Sequence, residues 1–223
     1  MKKYSKNHIV LFISVITLFT FTQCGSGKYY ADFKREKKQV DTLVVLTPYV
    51  SIDFLKNQQF SKDYELKDSL TTKIYNEIIH NLNGKYKLVD CTLHVDSTGE
   101  TELSNLFSNL DNSSTDFTPI TPSFIQNLIK DNPNRYFLMV CFNGYYNAHF
   151  PPYYHLKQGL ATNTMYINVG NKLYSSDMKI LVFDNQKNIV VFYDRKYAQN
   201  TDPRITDLVE KMTSDMLMPI YYK

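Results

Sequence analysis

Apolar and polar positions divide the chain into a short series of elements. Residues 40–50, VDTLVVLTPYV, form a β-branched, apolar run ended by Pro48 and read as a buried strand. In Lys67–Leu82, Leu70, Ile74, Ile78 and Leu82 recur every four residues with Ile79 widening the stripe, an amphipathic helix stopped by Asn83-Gly84. KYKLVD, 85–90, alternates and reads as a second strand. The stretch 92–118 is polar, with a short helix expected over Glu100–Leu110. Ile120–Ile129 is a further amphipathic helix, with Thr121 as candidate cap and Pro122 in its first turn. RYFLMVCF, 135–142, is almost wholly apolar and reads as a central strand. Asn143-Gly144 behind it signals a hairpin turn, or a bulge inside one long strand. Thr164–Val169 is another strand candidate, and Met178–Phe183 and Ile189–Tyr193 flank the loop DNQKN as a hairpin. The last helix has Asp202 as candidate cap, Pro203 at its first position, and Ile205, Leu208, Val209, Met212 and Met216 on one face. The order β-α-β-α-β-β-β-α predicts an α/β (α+β) sandwich, a mixed sheet of about five strands with helices packed on it, as a single domain over 40–223.

The first 23 residues have a different logic. Lys2, Lys3 and Lys6 precede an apolar run, Ile9–Phe21, which at 13 residues is shorter than the roughly 20 needed to span a bilayer. This is the pattern of an export signal, set apart from the fold. Phe21-Thr22-Gln23-Cys24-Gly25 resembles the lipobox of bacterial lipoproteins, with Phe21 and Gln23 where that family usually has Leu and a small residue. The resemblance implies cleavage before Cys24 and acylation of its thiol and amine. Several acyl chains together anchor stably, where one gives marginal binding. Gly25-Ser26-Gly27 suits a flexible tether, expected over 24–39 with a basic bias from Lys28, Lys34, Arg35, Lys37 and Lys38. The absence of Asp after the cysteine points to the outer membrane, periplasmic face.

The net charge of +3 disappears once the three leader lysines are set aside, leaving 22 basic against 22 acidic residues, so no electrostatic case for nucleic-acid binding remains. Cys91 and Cys141 are a candidate disulfide in an exported protein, or two buried thiols. No phosphate loop, nucleophile elbow or zinc-protease motif is present, and no cofactor or metal is expected. Asp90, Cys91, His94 and Asp96 have ligand chemistry, but their spacing supplies no fixed geometry, and ordinary loop residues account for them better.

The order VDTLVVLTPYV, helix, GKYKLVD, RYFLMVCF, MKILVF, IVVFYD resembles the N-terminal domain of the periplasmic translocation protein TolB and the core of the curli-secretion channel lipoprotein. That resemblance spans about residues 40–217 and implies a non-catalytic envelope role with no catalytic residues to transfer. The densest aromatic stretch is GYYNAHFPPYYH, 144–155, stiffened by Pro151-Pro152. Tyr145, Tyr146, Phe150, Tyr153 and Tyr154 on such a loop are candidate partner-binding residues, because rings bury much area at low entropic cost. Half of them packing on the sheet is the competing expectation. The reading is a lipid-anchored envelope protein that binds other envelope proteins. The alternatives are a glycan- or ligand-binding module using this loop, and an enzyme whose site lacks a local motif.

Overall fold

The computed structural model describes residues 28–29, 31–112, 121–130, 132–150, 152, 173–199 and 201–221. Their elements in order are β1 (Lys28–Tyr29), α1 (Ala31–Glu36), a 3-10 turn (Lys37–Gln39), β2 (Thr42–Leu46), β3 (Tyr49–Lys56), β4 (Gln59–Lys62) and α2 (Tyr64–Leu82). There follow β5 (Lys87–Cys91), α3 (Ser97–Asn112), α4 (Ser123–Ile129), β6 (Tyr136–Asn147), β7 (Tyr174–Asp184), β8 (Ile189–Gln199) and α5 (Thr206–Tyr221). The leader, Cys24, Tyr153, Tyr154 and the strand candidate 164–169 lie outside the described residues.

The α/β sandwich is as expected, but the mixed sheet has eight strands among the described residues rather than about five. Its main order is β1-β8-β7-β6-β2-β5. Strand β6 is the hinge of the topology: β7 runs antiparallel along one side, while β2 and then β3 run parallel along the other. Pro48 does not end the strand run but interrupts it. Val44 and Val45 pair with Phe137 and Leu138, the chain kinks at Thr47-Pro48, and Tyr49 resumes opposite Cys141. The second half, β3, returns as the hairpin β3–β4, whose turn residues Asn57 and Gln58 both have positive φ.

Each face of the sheet has its own helical cover. Leu70, Ile74, Ile78 and Leu82 of α2 are fully buried, and with α5 they cover the face carrying Val45, Ile52, Leu138, Val140 and Phe142. Helix α2 is capped by Asp63, which accepts from the Leu66 amide at 2.9 Å, and it stops at Asn83 before Gly84, φ +80°. On the other face, Leu103, Leu106, Phe107 and Leu110 of α3 join Ile125 and Ile129 of α4 over Val44, Phe137, Met139 and Cys141.

Three further expectations change. Residues 31–39, read as tether, form α1 and the 3-10 turn, docked by the buried Phe33 and by Glu36, which accepts from Arg135 and Tyr136. Asn143-Gly144 makes no turn, because β6 runs through it to Asn147 in register with both β3 and β7. Asp202 does not cap the last helix. It is buried and holds the Arg204 guanidinium at 2.7 Å, and α5 opens at Thr206. Among the described residues no helix is long and apolar enough to cross a membrane.

Gly144 is where the last helix's lead-in closes on the sheet. A Cβ there would lie 2.7 Å from Ile52 Cδ1 and 2.8 Å from Pro203 Cβ, contacts too close for either neighbour to keep its place. Gly144→Ala is therefore expected to lower stability by about 1–3 kcal/mol, as overpacking does, read as a shift of the urea unfolding midpoint. An unchanged midpoint would mean Pro203 moves freely.

Candidate functional site

The register of β3, β6, β7 and β8 builds a patterned surface on the α3 side of the sheet. Tyr49, Cys141, Lys179 and Arg195 stand opposite one another in one row across four strands. The next row is Ser51, Asn143, Asp177 and Tyr197, and the one beyond is Asp53, Tyr145, Ser175 and Gln199. Apolar burial on this face stops at the first row, and polar side chains take over.

Helix α3 lies over the first row. Its apolar stripe is buried, so its edge presents Glu100, Ser104, Ser108 and Asp111, each three or four residues from the next. Between that edge and the sheet is a cavity of about 560 Å³ lined by Tyr49, Ser104, Ser108, Asn143, Lys179 and Arg195, among others.

Ion pairs fix its floor. Lys179 is only 5% exposed, and its ammonium donates to Asp177 at 2.6 Å while lying 4.8 Å above the Phe107 ring. Arg195 donates to both oxygens of Asp177, at 2.9 and 3.0 Å, and to Asp111 at 2.5 Å. Tyr193 donates to the other Asp111 oxygen at 2.5 Å. At the far end the Tyr49 hydroxyl donates to Glu100 at 2.7 Å. Burial, then the bond to Glu100, raises the Tyr49 phenol; burial and then Asp111 do the same for Tyr193. The bond to Asp177 raises Arg195 further. Burial pushes the Cys141 thiol up as well, away from a thiolate. The cavity thus holds donors and acceptors already engaged with one another.

The sequence-predicted residues fall elsewhere. Tyr145 and Tyr146 lie on β6 itself, not on a loop. Tyr146 is buried on the opposite face, stacked on Phe54 with its hydroxyl donating to Asp63 at 2.6 Å. Tyr145 is half-buried on the α3 side, its ring 6.1 Å from that of Phe60. Phe60 is 72% exposed and Phe150 is 41% exposed. Three segments meet at this rim. The Asn57 amide donates to His149 Nε2 at 3.1 Å, the Ala148 amide to the Leu55 carbonyl at 2.9 Å, and Arg204 to the Phe150 carbonyl at 2.9 Å. Phe60 was missed in the sequence because it sits in a polar context, QQFSK, with no aromatic neighbour in the chain.

Of the two readings of the cysteines, the structure has free thiols. Cys91 and Cys141 stand on β5 and β6, with β2 between them. That separation is two strand spacings, about 9–10 Å, beyond disulfide reach. Of the D-C-x-x-H-x-D residues, Asp90 accepts from Tyr75, Asp96 accepts from the Gly99 amide at 2.8 Å, and His94 is exposed. Neither His94 nor His149 lines the cavity.

No family model and no curated protein matches the chain. Among solved structures it is similar to the PelC dodecamer from Paraburkholderia phytofirmans, at 10% identity and a TM-score of 0.39, over 83% of this chain and 90% of that one. It is similar to the LpoB C-terminal domain from Salmonella enterica, at 14% identity and TM-score 0.30, over 77% and 96%. It is also similar to the lipoprotein GNA1162 from Neisseria meningitidis, at 10% identity and TM-score 0.34, over 82% and 97%. TM-scores this far below 0.5 carry no role from those proteins to this chain.

Asp177 is the anchor of the charged floor, and the two directions of its removal differ. Asp177→Asn leaves Lys179 buried without its carboxylate and is expected to cost about 3 kcal/mol, whereas Lys179→Met leaves Asp177 still held by Arg195 and is expected to stay within about 1 kcal/mol of the native protein. Chemical denaturation of both variants checks this; equal losses would show that the pair contributes symmetrically.

Proposed function

We propose that the chain is a cell-envelope lipoprotein, anchored through acylated Cys24 at the periplasmic face of the outer membrane, that binds other envelope proteins and catalyses no reaction. The observation that carries the binding role is the exposed Phe60 ring of the β3–β4 hairpin lying beside Tyr145, with the exposed Phe150 following the segment 147–149 that bonds the hairpin. Exposed rings held by hydrogen bonds from three chain segments lose little freedom on docking, which is the economy that aromatic contact surfaces use. The adjoining strand β4 is exposed along its length and among the described residues pairs only with β3, so its outer edge can accept an extended partner segment. The signal-like leader and the Cys24 context support the anchor. The candidate contact set is Phe60, Tyr145 and Phe150, with Tyr153 and Tyr154 as sequence neighbours of that rim.

Two measurements test this reading. Intact mass of the natively expressed protein is expected to show a mature chain starting at Cys24 with added acyl mass, lost in Cys24→Ser together with membrane association; an unacylated soluble product in both would remove the anchor. A photo-crosslinking residue placed at position 60 is expected to yield a discrete adduct with one envelope protein in intact cells, abolished by Tyr145→Ser, while the same residue at Glu65 yields none. Identical adducts at both positions would refute the rim as a contact surface.

A further inference from the structure

The cavity beneath α3 lies apart from the aromatic rim and is built differently. We propose that it is a binding site for a neutral oligosaccharide, laid across β3, β6, β7 and β8 along the polar edge of α3.

Shape is the first argument. The trough runs from Tyr49 on β3 to Arg195 on β8, three strand spacings or about 14 Å, so it fits a short chain rather than a single ring. Its volume of about 560 Å³ is that of a ligand site.

The lining is the second. Leu103 and Phe107 also line the trough but keep little surface open, so its apolar wall is shallow and gives a peptide side chain little hold. Its floor is the face of a sheet whose main-chain groups are already paired, so it cannot take a peptide by strand addition. What it presents instead are Ser104 and Ser108 hydroxyls, one turn apart on the helix edge, and the Asn143 amide in the middle of the floor. Hydroxyls and amides each donate and accept, as the hydroxyls of a sugar do.

Charge selects the class. Lys179 and Arg195 are both already engaged by carboxylates, Asp177 and Asp111. Glu100, the third carboxylate, accepts from Tyr49 and has no ion-pair partner among the described residues. The trough is lined by two carboxylates, Glu100 and Asp111, and two cations, Lys179 and Arg195, and both cations are already held by carboxylates, so neither is available to a uronic-acid or phosphorylated chain, whereas a neutral chain needs no such partner.

The test uses the full-length protein in detergent on an array of neutral and anionic oligosaccharides, followed by calorimetric titration of the strongest neutral binder. Retention of neutral chains of three or more sugars is expected, with no preference for their anionic counterparts. Asn143→Ala removes the central amide, and Ser104→Phe fills the trough from an exposed helix position that leaves the core untouched. Each is expected to weaken the titrated affinity by about tenfold, the size of one or two lost hydrogen bonds, with an unchanged melting curve for Ser104→Phe confirming the fold. Retention of no neutral chain, preferential retention of anionic chains, or affinity undiminished in either variant overturns the proposal.

Discussion

Everything in this fold depends on β6 being buried on both faces over its first half. Tyr136 through Phe142 are seven consecutive buried residues, which no single helical layer can satisfy, since alternate side chains point to opposite sides. Helices α2 and α5 therefore cover one side and α3 and α4 the other, and the strands flanking β6 follow its apolar stretch. Beyond Phe142 the requirement lapses on the α3 side: Asn143 and Tyr145 are half-buried while Gly144 and Tyr146 stay closed in on the other. The same strand thus supplies the core with one half and a half-buried polar surface with the other.

Most of the core was legible because it is written in local periodicity. The spacing-four stripe of α2, the apolar run of β6 and the DNQKN hairpin loop all lie within a few residues of where the pattern placed them. The β3–β4 hairpin was not legible. Val50 and Ile52 are the only fully buried residues of β3, and the turn at Asn57-Gln58 adopts positive φ without a glycine to announce it. The candidate cavity was legible least of all. Asp177, Lys179 and Arg195 are isolated charges in strands, and they become a cluster only when Lys179 meets Arg195 across β7 and β8 and α3 sets Asp111 above them. Register is a property of the folded sheet, and no single stretch of the chain encodes it.

Electrostatics within the cavity fixes its groups against one another. The carboxylate of Asp177 is shared between two cations, and that of Asp111 between Arg195 and Tyr193. Such a network resists reorganisation, since moving any member strands a partner in a half-buried setting.

The working half of the sheet is also braced from behind. On its far side Arg204 lies 4.5 Å over the Tyr146 ring while holding buried Asp202, and Tyr146 in turn bonds Asp63, the cap of α2. Pro203 presses on Gly144 directly beneath Asn143 and Tyr145. The floor of the trough and the base of the aromatic rim therefore rest on one packed layer tied to both α2 and the lead-in of α5. Groups mounted on paired strands with that support are held in fixed mutual positions, which favours selectivity by geometry and charge over adaptation of a loop.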